Sequence, residues 1–294
     1  MMRESFFKYI QFEKRYSPHT LTAYQNDLDQ FYIYLSENFQ IEEIVDVSHI
    51  FIRSWIVNLM EQKITPRSIN RKITTLKTYF KFLLREGIIK TNPMLKIQSP
   101  KTSKRLPVFV DKDNMDKLLD TIKFGNDYIG LRDHFIIELF YATGMRLAEL
   151  VSLKVDSIDL YNNNIKVLGK RNKERIIPFS VPMKDVINKY LEARKNDENH
   201  QHTDYLFLST KGKQISRRVV QSLVKKYLAM ITTHDKKSPH VLRHSFATNM
   251  LNNGAEINSV KELLGHSSLA ATQVYTHNTI EKLKNIHKQA HPRA

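Results

Sequence analysis

Apolar residues recur every three or four positions through most of this chain, the spacing that gathers them on one face of an α-helix. Ser17-Pro18 reads as a cap followed by proline in the first turn. It opens a helix with Leu21, Tyr24, Leu28, Phe31, Tyr32 and Leu35 along one side. A second helix runs from about Ser48 to Gln62 through Ile52, Trp55, Ile56 and Leu59. A third starts at Thr65-Pro66, passes Ile69, Ile73, Leu76, Phe80 and Leu83, and stops at Gly87. Trp55, the lone tryptophan, falls on an apolar face and reads as core. The periodicity then lapses: KIQSPKTSKRLP, residues 96–107, holds two prolines, two serines and four basic residues, the composition of a linker.

Beyond the linker the pattern changes character. A helix is expected from Asp111 to Thr121, then a strongly apolar one from Gly130 to Tyr141 that Ala142-Thr143-Gly144 ends. Leu147, Leu150 and Val151 begin another short helix just past Arg146. Val155–Leu160, Ile165–Leu168 and Arg175–Phe179 alternate as strands do, with turns at Asn162-Asn163-Asn164 and Gly169–Asn172. Tyr205–Leu208 reads as a short edge strand. From Ser216 onward the pattern is helical again. Ser238-Pro239 marks a cap and first turn, which puts His240, Arg243 and His244 near a helix start. Leu263-Leu264-Gly265 reads as a helix end, which leaves His266 in a turn, and Ser267 or Ser268 as the cap of a short helix carrying Tyr275. The expected fold is mainly α. An all-helical domain (1–95) and a linker (96–107) precede a mainly helical domain with a small antiparallel β-sheet (108–294).

Charge narrows the choice of partner. The 294 residues carry a formal net charge of +16, most of it in the second domain, which points to nucleic acid or another anionic surface. The polar side of the third helix holds Arg67, Arg71, Lys72, Lys77, Lys81 and Arg85 without an intervening acid. With Lys104 and Arg105 of the linker and Lys173 of a turn, Arg67, Arg71, Lys72 and Lys77 are candidates for contacts to a DNA backbone. Cysteine is absent, which excludes a disulfide framework and a thiolate metal site. The N-terminus has no signal-peptide core, and the apolar run at Phe135–Ile137 is short and followed by Glu138. A cytoplasmic protein with no membrane segment is expected.

Three separated pieces ask for one chemistry: Arg146 after Thr143-Gly144, Lys170 in a tight turn, and the stretch from His240 to Tyr275. His240 and His244 have the i,i+4 spacing of metal ligands. No HExxH glutamate accompanies them, and Arg243 would set a fixed cation beside the ion. A phosphate suits the set better. Transfer of a phosphodiester to a hydroxyl builds negative charge on two non-bridging oxygens, which arginine matches with a two-pronged hydrogen bond at any relevant pH. A tyrosine that attacks in line stores the broken bond as a phosphotyrosine. Its phenol, with an ordinary pKa near 10, needs cationic neighbours or a base, and the leaving oxygen needs an acid. Such a reaction requires no cofactor, metal or ATP.

ATGMRLAEL around Arg146, LGKRNKERIIPF around Lys170, HVLRHSFAT from His240, LLGHSS around His266 and TQVYTH around Tyr275 resemble, in order, the signature of the tyrosine recombinase (phage integrase) family. YSPHTLTAYQNDLDQF and TPRSINRKITTLKTYFKFL resemble its SAM-like core-binding domain. The ending HKQAHPRA and the absence of an added arm-binding domain are similar to the Xer subgroup, XerD more than XerC. The resemblance implies that Arg146 and Arg243 clamp the scissile phosphate and that Lys170 protonates the leaving 5′-oxygen. His240 would assist proton transfer, and His266 would hydrogen-bond the phosphate. Tyr275 would form the 3′-phosphotyrosyl link, and Glu149 would orient Arg146. His244 and His277 match positions beside these and are assigned local hydrogen bonding.

The resemblance further implies two domains around duplex DNA at a dif-like inverted repeat and a Holliday junction. Four protomers would assemble, of this chain alone or with a paralogous recombinase, with an FtsK-type DNA translocase as a further partner. A C-terminal helix carrying Ile280, Leu283 and Ile286 would dock into a neighbour or against its own domain. Three alternatives stand beside chromosome-dimer resolution: a phage or mobile-element integrase, a type IB topoisomerase acting as a monomer, and a non-catalytic protein that binds DNA or holds junctions.

Overall fold

The computed structural model describes residues 2–102, 108–169, 174–196, 203–265 and 285–293. The chain separates into two compact units, Met1–Arg105 and Leu106–Ala294.

In the first unit, helix α1 (Met2–Lys8) buries Phe6 and runs on through a wider turn at Tyr9–Glu13 that buries Ile10. Helix α2 (Pro18–Phe39) begins where the sequence places it: Ser17 Oγ accepts from the Thr20 N–H at 3.2 Å, and proline fills the first position. Ser48 caps α3 (His49–Glu61) and Thr65 caps α4 (Pro66–Arg85) in the same way. The apolar stripes of α2, α3 and α4 meet in one core around Phe31, Trp55, Leu76, Tyr79 and Phe80. Met94 and Ile97 join that core, and Asn70 Nδ2 donates to the Pro100 carbonyl at 2.9 Å. The stretch expected as linker from residue 96 is therefore held by the first unit as far as Pro100.

The basic face of α4 is less uniform than its sequence implies. Lys72 is 5 % exposed and is a buried ion-pair partner instead of a surface cation. Its Nζ lies 3.1 Å from Asp27 on α2 and also donates to Gln30, with the Trp55 ring centroid 5.8 Å away. Arg71 and Thr75 donate to the same fully buried Asp27. The cause is helical geometry: Lys72 sits three residues beyond Ile69 and four before Leu76, which turns it toward the α2 face. Arg67 and Lys77 are exposed, as expected. Lys104 and Arg105 lie outside the described residues.

The second unit is built around α6 (Tyr128–Thr143), capped by Asp127 and buried on nearly every side. Ahead of it, α5 (Lys112–Asp116) is capped by Asp111 and extends through a wider turn to Thr121. The short α7 (Leu147–Ser152) leads to an antiparallel sheet of order β1 (Ile158–Asp159), β2 (Asn164–Leu168), β3 (Glu174–Pro178). The first strand is shorter than expected because Val155–Ser157 coils into a 3-10 turn, where Ser157 N–H reaches the Lys154 carbonyl at 3.1 Å. Helices α8 (Met183–Asn196), α9 (Arg217–Leu228) and α10 (Pro239–Asn252) pack against α6, and α11 (Ile257–Leu264) follows α10. Tyr205–Leu208 forms no strand of the sheet. Its ends make single bridges, Lys154 to Tyr205 and Leu208 to Gln214, while Leu206 and Phe207 fill the core. Residues 285–290 are helical, and Ile286 and Ala290 pack on the same core. Among the described residues no helix is long and apolar enough to cross a membrane.

The Asp27 cluster makes a test of the first unit. Asp27→Ala strands the Lys72 ammonium in the core and should cost about 3–5 kcal/mol in urea unfolding, whereas Asp27→Leu with Lys72→Met should recover most of that loss. Equal stability of Asp27→Ala and the unaltered protein would contradict a buried ion pair.

Candidate active site

Helix α6 ends in a tight reversal. Gly144 takes a left-handed backbone (φ +58°), and a Cβ there would fall 2.5 Å from Phe246 Cδ1 and 2.8 Å from Leu264 Cδ2. Only glycine fits both the angle and the space. The reversal buries Met145 and presents Arg146 as the residue before α7. Glu149, in the first turn of α7, reaches back with Oε2 to accept from the Arg146 backbone N–H at 2.7 Å. The same carboxylate accepts from Arg146 Nη1 at 2.8 Å through Oε1.

A third arginine, Arg175, completes the carboxylate. Its Nη1 and Nη2 donate to Glu149 Oε1 and Oε2 at 2.9 and 2.8 Å, the paired geometry that makes such bonds strong. Arg175 Nε donates to the Leu263 carbonyl at 3.1 Å. Sequence reasoning missed this residue. The signal was strand alternation: Arg175 shares the buried face of β3 with Ile177, opposite Val167, and is 4 % exposed.

Arg243 enters from α10 and spans two carbonyls. Its Nη1 donates to Gly144 O at 2.7 Å and its Nη2 to Leu264 O at 2.8 Å. Arg146 Nη2 donates to Gly265 O at 2.8 Å. The last carbonyls of α11 are thus shared among Arg175, Arg243 and Arg146, which satisfies groups that a helix end leaves open. Gly265, at φ +63°, turns the chain there. A Cβ on it would press the Arg175 side chain at 3.2 Å.

Among the described residues the charges do not balance. Three guanidinium groups meet one carboxylate, and the end of α11 adds roughly half a negative charge. Burial alone would push the Glu149 carboxyl up, but Arg175 and then Arg146 hold it below its ordinary value, so it stays ionised. Burial first, and then the charge of Arg146, bring Arg243 down to about 10, which leaves it cationic at neutral pH. Arg146 is 26 % exposed at its side chain, so the surplus positive charge opens to solvent there. Arg146 and Arg243 each keep N–H groups beyond those engaged on Glu149 and the carbonyls. Arg175 uses all three of its nitrogens on protein partners and acts as a support.

Of the expected site residues, Arg146, Glu149 and Arg243 come together. His240 lies in the first turn of α10 and is exposed, as is His244, whereas Arg243 turns inward. The helix starts at Pro239 as expected, but the Ser238 side chain makes no capping bond. Lys170, Lys173, His266, Tyr275 and His277 lie outside the described residues. In sequence Lys170 falls between β2 and β3, and His266 follows Gly265 directly. Among the described residues no group of three or more histidine, aspartate or glutamate side chains is placed to hold a metal ion.

Comparison with known proteins identifies the family. Residues 108–282 match the phage integrase family, and residues 4–87 match the phage integrase N-terminal SAM-like domain. The tyrosine recombinase XerC of Alcanivorax borkumensis is 38 % identical over 291 residues, covering 99 % of this chain and 93 % of that protein. That of Oceanobacillus iheyensis is 37 % identical over 299 residues, covering 99 % and 96 %. Among solved structures, the XerH site-specific recombinase bound to palindromic difH substrate in a post-cleavage complex shares the fold. It has a TM-score of 0.71 and 21 % identity over 90 % of this chain and 78 % of that one. With both domain types matched in order and full-length relatives above one-third identity, the chain belongs to the phage integrase family and is a tyrosine recombinase of the Xer subgroup.

Proposed function

We propose that this protein is a site-specific recombinase that cuts and rejoins duplex DNA through a 3′-phosphotyrosyl intermediate and a Holliday junction. The observation that carries the proposal is the convergence of Arg146 and Arg243 on one buried, net-positive cluster with donors to spare. A phosphodiester supplies the negative charge this cluster lacks. Two fixed guanidinium groups stabilise the charge that grows on its non-bridging oxygens as the phosphorus becomes five-coordinate. Because Glu149, Gly144 O, Leu264 O and Gly265 O already orient both groups, little reorganisation is needed when the reaction occurs.

The remaining roles rest on the sequence. Tyr275 attacks the phosphorus, forming the new O–P bond as the bond to the 5′-oxygen breaks. Lys170 gives a proton to that oxygen, His240 assists in moving the phenolic proton, and His266 hydrogen-bonds the phosphate. Reversal with the 5′-hydroxyl of another strand rejoins DNA without ATP, since the phosphotyrosine keeps the energy of the broken bond. Arg67, Arg71 and Lys77 are the remaining backbone-contact candidates of the first domain: Lys72 is buried against Asp27, whereas Arg71, which also pairs with Asp27, stays exposed.

The kinship to XerC proteins supports an Xer role; the role proposed is resolution of chromosome dimers at a dif-type site, by a tetramer of this chain or of this chain with a paralogue, served by an FtsK-type translocase. The XerC names of the relatives lend no support to the XerD resemblance, so the role is proposed for Xer alone.

Two substitutions test the chemistry on a nicked suicide duplex carrying the sequence that the protein selects from a random DNA pool. Tyr275→Phe should bind that duplex with unchanged affinity and form no covalent adduct. An adduct from this variant would remove Tyr275 as nucleophile. Arg146→Lys keeps the charge but loses the paired geometry, and should slow adduct formation by about 100-fold with affinity changed less than about threefold. Wild-type rates for it would contradict the clamp.

A further inference from the structure

The tail of the second unit is anchored by two histidines that the recombination chemistry does not use. His287 and His291 are 3 % and 5 % exposed, and their rings stack with centroids 4.7 Å apart and planes 3° from parallel. His287 Nε2 lies 2.9 Å from the Ala142 carbonyl, and His291 Nε2 lies 3.1 Å from the Tyr141 carbonyl. Both carbonyls belong to the last turn of α6, where a helix leaves acceptors open. The Arg293 backbone N–H donates to His291 Nδ1 at 3.1 Å. That bond requires an unprotonated Nδ1, so the proton of His291 sits on Nε2 and is donated to Tyr141 O. Asn253 Nδ2 ties down Ala290 O at 2.7 Å, and Arg293 pairs with Asp120 at 2.9 Å.

What lies under this anchor is the reversal that delivers the arginines. Tyr141 and Ala142 immediately precede Thr143-Gly144, and the Gly144 carbonyl is one of the two that hold Arg243. Phe246, the ring against which Gly144 packs, also lies 5.6 Å from the His291 ring and 6.5 Å from the His287 ring, centroid to centroid. The tail thus reaches Gly144 by two routes, through the backbone of α6 and through Phe246. We propose that His287 and His291 are positioning residues for Arg146 and Arg243, fixing the last turn of α6 and Phe246 so that the Gly144 reversal holds both guanidinium groups in register. The proposal rests on the phosphate-clamp reading above.

The test uses the full chain and the same nicked duplex. Replacing both histidines by phenylalanine keeps the stacked rings and removes both donors. Replacing both by glutamine returns an amide N–H near each Nε2 position. Single-turnover adduct formation should fall about tenfold or more in the phenylalanine variant, with DNA affinity within about twofold, and glutamine should restore most of the rate. Asn253→Ala loosens the tail from a partly buried contact outside the ring pair, and should lower the rate about threefold without changing affinity. It reports on tail docking if the phenylalanine variant does not fold. Phenylalanine or Asn253→Ala proteins cleaving at the wild-type rate would overturn the proposal, as would glutamine failing as completely as phenylalanine. A wild-type protein that forms no adduct would overturn the recombinase reading instead.

Discussion

One buried carboxylate organises the catalytic unit. Glu149 takes hydrogen bonds from the backbone and side chain of Arg146 and from both terminal nitrogens of Arg175, and it is 4 % exposed. Removing a charge from water on that scale is costly unless partners replace the lost hydration, and here each oxygen receives two. The carboxylate also joins distant parts of the chain. It fixes the start of α7, draws β3 inward through Arg175, and through Arg146 reaches the end of α11 at Gly265.

The rest of the site follows from what one carboxylate cannot neutralise. Arg243 and Arg146 lean on carbonyls for the remainder, and carbonyls orient a guanidinium without cancelling its charge. The result, among the described residues, is a cation pair held in place without a matching anion, set beside the solvent-exposed edge of Arg146. Gly144 and Gly265 are needed because both carbonyl-bearing turns require left-handed backbone in crowded space. Under the proposed function that anion is the scissile phosphate, whose charge grows during reaction, so the pair would speed the chemical step and not merely bind.

Much of this was legible in the chain before any coordinates. The helix starts at Ser17, Ser48 and Thr65, the apolar stripes that follow, and the stop at Gly144 each have a local cause, and the structure follows them. The order of motifs pointed to Arg146, Glu149 and Arg243 as neighbours, and they are. What failed to show was long-range pairing of charge. Lys72 looked like one more cation on a basic helix face, because nothing near it in sequence reveals Asp27, 45 residues earlier. Arg175 opened the third expected strand and was given no role, although its place on the inward face of β3 was a readable sign. Tyr205–Leu208 has strand-like composition, but its neighbours in space offer bridges instead of a ladder.

The most direct measurement is of Glu149→Gln, which keeps the shape of the side chain and removes its charge. If Glu149 aligns the clamp, this variant should bind the selected duplex nearly as tightly as the unaltered protein, yet form the covalent adduct about tenfold or more slowly in a single turnover. Adduct formation at the unaltered rate would show that the arginines find their places without the carboxylate, and the account of the site would fail at its base.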